Sequence, residues 1–199
     1  MMQNNNKRVI AVTGGIGCGK SAVCNLLASY GNVLSCDEIN REMFFDPDYL
    51  RLIIERFPEV FLNEKLDKRA LATLIFNNEQ KRAELNAIAH PEIMKRLLKK
   101  IAEATSDIVF VEVPLLAGTD FAKLFKEIIV VSADKNIRLK RIAERDHITE
   151  AEAQIRIDAQ NTPLVFSDAI TYDIDNTGDL NTLKDNCKKT IEQIQRRIL

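Results

Sequence analysis

The chain has little of several things that would narrow its function. It has no excess charge, since 28 basic residues face 29 acidic ones for a net charge of −1. A nearly neutral chain exerts no long-range pull on nucleic acid or on an acidic membrane, so any anion must be held by a local site. Its four cysteines (Cys18, Cys24, Cys36 and Cys187) form no C-x-x-C pair and no metal-ligand spacing. That argues against a metal site built from them and suits reduced thiols. No stretch of 18 apolar residues occurs, so no membrane helix is predicted. Residues 1–7 are polar and Asn-rich, without a signal-peptide pattern. There is no internal repeat and no low-complexity tract. The expectation is a soluble cytoplasmic protein that binds no nucleic acid and no membrane. At 199 residues it fits one α/β domain with inserted subdomains, long enough to bury a core.

What is present is sharper. Gly14-Gly15-Ile16-Gly17-Cys18-Gly19-Lys20-Ser21 satisfies G-x-x-x-x-G-K-[ST]. It follows the apolar run Val9-Ile10-Ala11-Val12 and precedes the helical stretch Ala22-Val23-Cys24-Asn25-Leu26-Leu27-Ala28. Strand before and helix after is the context this phosphate-binding motif requires. Glycines let backbone N–H groups approach phosphate oxygens, and the following helix points its positive end at the same anion. Lys20 can reach the β- and γ-phosphates, and the Ser21 hydroxyl can ligate Mg²⁺. The dinucleotide pattern G-x-G-x-x-G finds no register here. Cys18 is read either as a small residue filling the loop or as an oxidation-sensitive thiol.

Four further apolar runs predict buried parallel strands: Val33 to Cys36, Ile108 to Val113, Ile128 to Val131 and Ala169 to Ile174. Helical patterns separate them, which predicts a five-stranded parallel sheet with helices on both faces. Ligands of such sheets bind beyond the carboxyl ends of the strands. Two stretches break the alternation. Residues 38–105 carry only helical signals, with Asp46-Pro47 as a helix start, apolar periodicity over 66–76 and 81–104, and a break at His90-Pro91. They predict a helical substrate-binding insertion. Residues 135–163 predict a two-helix lid: one helix ends near Asp146-His147, and the next opens on the capping box Thr149-Glu150-Ala151-Glu152. The nucleotide-binding core is then 1–37 with 106–134 and 164–199, closing on a helix over 180–198.

Several constellations admit two readings. Asp37 follows the second strand at the same edge as the loop, either as a general base or metal orienter, or as the N-cap of the next helix. Arg138, Arg141 and Arg145 would share one helix face, either closing over a nucleotide or forming a solvated basic surface. His90 is either a structural cap or a catalytic group. Asn176-Thr177-Gly178 either approaches an adenine ring through its backbone or merely connects strand to helix.

Taken together, these residues resemble the dephospho-CoA kinase family nearly end to end. Thr13 to Ser21 is similar to that family's phosphate loop. Leu66-Asp67-Lys68-Arg69-Ala70-Leu71, Ile75-Phe76 and Leu85-Asn86-Ala87-Ile88-Ala89-His90-Pro91 resemble its helical-domain signatures. Val113-Pro114-Leu115-Leu116 matches its third-strand exit. Lys140-Arg141, Arg145-Asp146, the helix to Gln160 and Asn176-Thr177-Gly178 follow its lid and C-terminal pattern. The resemblance implies a P-loop kinase fold and transfer of the γ-phosphoryl of ATP, with Mg²⁺ held through Ser21, to the 3′-hydroxyl of the dephospho-CoA ribose. It implies Asp37 as general base, with Lys20, Arg141 and Arg145 as charge stabilisers. Nucleotide contacts fall on residues 14–22 (Ala22 included), Asn176 and Gly178, and substrate contacts on Asp37, Arg41, His90, Pro114 and Leu115. The implied partners are small molecules, and the chain is expected to be a monomer or weak homo-oligomer. Two departures stand out. Ser35-Cys36-Asp37 keeps only the second carboxylate of the family's Asp-Ala-Asp, and Pro163 and Phe166 stand where many members carry arginines. A kinase of nucleosides or nucleotides would share the loop, insertion and lid. A nucleotide-dependent switch is opposed by the lack of an N-K-x-D motif.

Overall fold

The structure, a computed structural model, describes residues 7–63, 65–160 and 164–197; Pro163 and Ile198 lie outside them. In chain order the elements are β1 (Arg8–Gly14), α1 (Lys20–Leu27), β2 (Asn32–Ser35), α2 (Cys36–Met43), α3 (Pro47–Arg56), β3 (Phe61–Leu62), β4 (Lys65–Leu66) and α4 (Lys68–Asn77). Then come α5 (Glu79–Glu103), β5 (Ile108–Glu112), β6 (Glu127–Ser132), α6 (Lys135–Asp146), α7 (Glu150–Asp158), β7 (Ile170–Asp175) and α8 (Leu180–Arg196). The chain divides into two units, one running up to Ser35 and resuming at Ala104, the other spanning Cys36–Glu103.

The first unit is a five-stranded parallel sheet in the order β2-β5-β1-β6-β7. β1 lies at its centre, and Ile10, Ala11 and Val12 are fully buried. Side chains alternate across a strand, so a run buried at consecutive positions is covered on both faces. On one face Ile10, Val12, Phe110, Ile129 and Val131 pack with Val23 and Leu27 of α1 and Leu183, Ile191 and Ile194 of α8. Burying each such side chain is worth about 1.5–3 kcal/mol. β7 departs from the expected continuous run. It alternates, with Tyr172 and Ile174 buried and Thr171, Asp173 and Asp175 exposed, because it is an edge strand.

α6 and α7 form the two-helix insertion of this unit. α6 ends where His147 adopts φ 54° in the left-handed region. Thr149 and Glu152 then cap α7 reciprocally, as the sequence predicts. Ile142, Ala153 and Ile157 form a small apolar cluster joined by Ile16, Leu139 and Ile148.

The second unit is mainly helical. Asp46 caps α3, its carboxylate accepting from the Asp48 N–H, with Pro47 in the first turn. Two expectations are corrected here. β3 and β4 form a two-residue antiparallel pair, Phe61 with Leu66 and Leu62 with Lys65, where only helix was expected. And His90-Pro91 does not break the helix: α5 runs unbroken for 25 residues with Pro91 inside it. An interior proline forfeits a backbone hydrogen bond at a cost of about 3 kcal/mol. Here Leu85, Ala89, Leu97 and Ile101 are buried along α5, which packs against α2, α3 and α4. Tertiary packing over about seven turns outweighs one local defect. Among the described residues no helix is long and apolar enough to cross a membrane.

Candidate active site at the phosphate loop

The loop joining β1 to α1 wraps the carboxyl end of the central strand. Gly17 (φ 78°) and Gly19 (φ 86°) take left-handed conformations that L side chains resist. At Gly19 a Cβ would also meet Asn176 Nδ2 at 2.1 Å, so only glycine fits. Gly19 is the residue from which α1 starts, and its carbonyl accepts from the N–H groups of Ala22 (3.0 Å) and Val23 (3.2 Å). The N–H groups of the first turn are thereby aimed towards the loop.

Side chains distant in sequence converge on this loop. The Lys20 ammonium donates to the carbonyls of Gly14 (2.9 Å) and Gly15 (3.3 Å), folding back over the loop. The Ser21 hydroxyl lies 3.2 Å from Glu112 Oε1, at the end of β5. Arg138 Nε donates to the Ile16 carbonyl (2.9 Å), and Gln160 Oε1 accepts from the Ile16 N–H (2.8 Å). Asn176 Nδ2 donates to the Cys18 carbonyl (2.8 Å), while Arg141 Nη2 donates to the Asn176 carbonyl (3.0 Å). Arg141 Nη1 is buried without a partner among the described residues. An unpaired buried donor costs about 1–3 kcal/mol.

Beside the loop opens a cavity of about 490 Å³, lined by Gly14, Gly15, Cys18, Pro114, Leu115, Arg138 and Gln160 among others. It lies beyond the carboxyl ends of β1, β5 and β6, where ligands of parallel sheets bind. Lys20, Arg138 and Arg141 bring positive charge to the loop, and Glu112 brings a carboxylate to Ser21. Burial pushes the Cys18 thiol up, with Lys20 pulling weakly the other way. The thiol is buried and protonated, which suits a small loop filler better than a reactive group.

The predicted residues are distributed unevenly. Arg138 and Arg141 reach the loop, whereas Arg145 pairs with Asp146 (2.7 and 2.9 Å), and that bond holds the Asp146 carboxyl below its ordinary range. The Asn176 side chain is 5% exposed and braces the loop. Gly178 sits one residue before Asp179, the cap of α8. Asp37 and Arg41 are exposed, four residues apart on α2, and belong to the helical unit, as does the exposed His90 of α5. Asp37 lies in the first helical turn because α2 begins at Cys36, so it is not the N-cap residue.

Sequence reasoning missed Glu112 and the loop contact of Gln160. Glu112 carried a usable signal, a carboxylate in an otherwise apolar strand at the binding edge. Gln160 carried none, since its contact spans 144 residues.

A family model described as dephospho-CoA kinase matches residues 8–181. A dephospho-CoA kinase of Corynebacterium glutamicum is 34% identical over 193 residues, covering 93% of this chain and 98% of that protein. One of Moorella thermoacetica is 32% identical over 198 residues, 96% of this chain and 93% of that protein. Among solved structures, TT1252 from Thermus thermophilus aligns with a TM-score of 0.79 at 28% identity, covering 95% of this chain and 98% of that one. The dephospho-CoA kinase from Campylobacter jejuni aligns at 0.68 and 28%, covering 97% and 100%. A shikimate kinase from Bacteroides thetaiotaomicron, at 0.55 and 14% identity, shares the fold.

Proposed function

This chain belongs to the dephospho-CoA kinase family and catalyses ATP-dependent phosphorylation of the ribose 3′-hydroxyl of dephospho-CoA, giving coenzyme A and ADP in the last step of coenzyme A biosynthesis; we propose how its residues divide the work. The loop from Gly14 to Ser21, with Ala22, cradles the ATP phosphates. Lys20 and Arg141 meet the charge that spreads over the transferred phosphoryl oxygens, and Arg145 joins them once its ion pair with Asp146 opens. Asn176 and Gly178 stand at the nucleotide end of the site.

Asp37 accepts the proton of the attacking 3′-hydroxyl. Its exposed carboxylate, two residues along the chain from the end of β2, suits that task. Arg41 and His90 hold dephospho-CoA, with Pro114 and Leu115 lining the cleft beside Gly14 and Gly15. The oxygens of Ser21 and Glu112, 3.2 Å apart, fit a hard divalent cation. Mg²⁺ there would draw its remaining ligands from water and ATP phosphates; among the described residues no cluster of three His, Cys, Asp or Glu provides a cage. When bound, it would neutralise charge on the β- and γ-phosphates. On this reading the enzyme works in the cytoplasm as a monomer or weak homo-oligomer, with its thiols free.

The observation that carries this reading is the convergence of Lys20 and Arg141 on a glycine loop beside an open cleft. The test is a panel of acceptors incubated with ATP and Mg²⁺ and followed by mass spectrometry. Dephospho-CoA should gain one phosphoryl group, and nucleoside monophosphates should not. Asp37→Asn should lower kcat about 10²–10⁴-fold with little change in ATP affinity. Near-normal turnover would reduce Asp37 to an orienting role.

A further inference from the structure

Peptide groups are planar and trans, so the C=O of one residue and the N–H of the next point in opposite directions. In the phosphate loop the Cys18 carbonyl is turned outward, accepting from Asn176 Nδ2 at 2.8 Å across 158 residues of sequence. The N–H of Gly19 must then face the other way, into the loop. Gly19 itself has no freedom to slip, because the space its Cβ would occupy belongs to that same Nδ2.

Asn176 is fixed in turn. Its N–H donates to the Ser132 carbonyl (2.8 Å) at the end of β6, and its carbonyl accepts from Arg141 (3.0 Å). At 5% exposure it is one of the few buried polar residues among those described. A buried amide with both backbone groups and its side-chain donor engaged is a rigid fixture.

We propose that Asn176 is a positioning residue for phosphate binding: its side-chain amide locks the Cys18–Gly19 peptide so that the Gly19 N–H is presented to the ATP phosphates. This rests on the loop binding ATP, and it differs from a direct adenine contact at the same position. The role needs a donor on that side chain. Aspartate has the same shape but presents an acceptor to the Cys18 carbonyl and repels it, whereas alanine only removes the brace.

The test is steady-state kinetics of wild type, Asn176→Asp and Asn176→Ala with ATP and GTP at varied dephospho-CoA, together with inhibition by inorganic tripolyphosphate, which has phosphates and no base. The KM for ATP should rise roughly 10–100-fold in the aspartate variant and about 5–10-fold in the alanine variant. A donor that holds phosphate equally in ground and transition states changes KM more than kcat, so kcat and the KM for dephospho-CoA should stay within about twofold. Tripolyphosphate inhibition should weaken in step with ATP binding, and the ATP:GTP ratio of kcat/KM should not move. Should Asn176→Asp fail to fold, the alanine variant decides alone. An unchanged KM for ATP in the alanine variant overturns the proposal. So does a shifted ATP:GTP ratio with tripolyphosphate inhibition intact, which would make Asn176 an adenine contact. A wild-type protein that does not use ATP would instead sink the underlying reading of the loop.

Discussion

The same three strands, β1, β6 and β7, behave in opposite ways at their two ends. Near the amino ends, polar groups satisfy one another. Arg8 forms a two-pronged ion pair with Glu127 and also donates to the Ile194 carbonyl of α8, while the Tyr172 hydroxyl donates to Glu127 at 2.9 Å. These side chains are nearly enclosed, Arg8 at 17% and Glu127 at 13% exposure. At the carboxyl ends the chain opens into loops, the one after β1 rich in glycine, and polar groups are left over: Arg141 Nη1 and the Thr13 hydroxyl are buried with no partner among the described residues. A satisfied buried group stabilises the fold, whereas an unsatisfied one costs about 1–3 kcal/mol. Strand polarity thus separates a stabilising edge from a working edge within one sheet.

The strongest way to break this comparison is Lys20→Ala at the working edge. If Lys20 meets the transferred phosphoryl as proposed, removing it should lower kcat/KM about 10²–10³-fold. Lys20 is part-buried and, among the described residues, bonds to two loop carbonyls, so the Tm should move by less than about 2 °C. A rate loss accompanied by a large fall in Tm would mean that the carboxyl end also carries the fold.

Glu127→Ala is the mirror experiment. It leaves the Arg8 guanidinium enclosed without its counter-ion, which should cost about 3 kcal/mol and lower the Tm by roughly 6–12 °C. Turnover at a temperature where the variant stays folded should remain within about twofold of wild type. Replacing both partners, Arg8→Met with Glu127→Leu, should recover much of the stability, because the loss comes from the stranded charge. A fall in kcat without a change in Tm would erase the distinction between the two edges.

How much of this was legible beforehand follows the range of the interactions. Four strands of the parallel sheet announce themselves as apolar runs, while β7 alternates as an edge strand, and the two-helix insertion is readable because its capping box at Thr149 and Glu152 is a local signal. The phosphate loop is likewise contiguous. What the sequence hides is non-local. The path of α5 through Pro91 depends on packing by α2, α3 and α4. The β3–β4 pair is two residues per strand, too short for any periodicity. Asn176 could be singled out by position, yet its bond to Cys18 crosses 158 residues, and no spacing rule reaches that far. The division after Ser35 assigns Asp37 to the helical unit, a boundary that a run of apolar residues ending at Cys36 does not mark.

The finest test concerns the two unpartnered groups at the carboxyl end, which need not serve the same purpose. Arg141 Nη1 lies 3.6 Å from the space a Gly19 Cβ would fill, beside the loop itself. Thr13 is different. It is fully buried within β1, paired with Val130 of β6, and its hydroxyl has no partner among the described residues. A group sealed inside the sheet cannot touch a nucleotide, so its hydroxyl is a plain cost. Thr13→Val keeps the branched shape and removes the polar atom. It should stabilise by about 1 kcal/mol, raising the Tm by roughly 2–4 °C, with the KM for ATP unchanged. If instead the KM rises while the Tm climbs, then Thr13 faces the ligand after all, and the boundary between the stabilising and working edges lies one residue deeper in the sheet than Gly14.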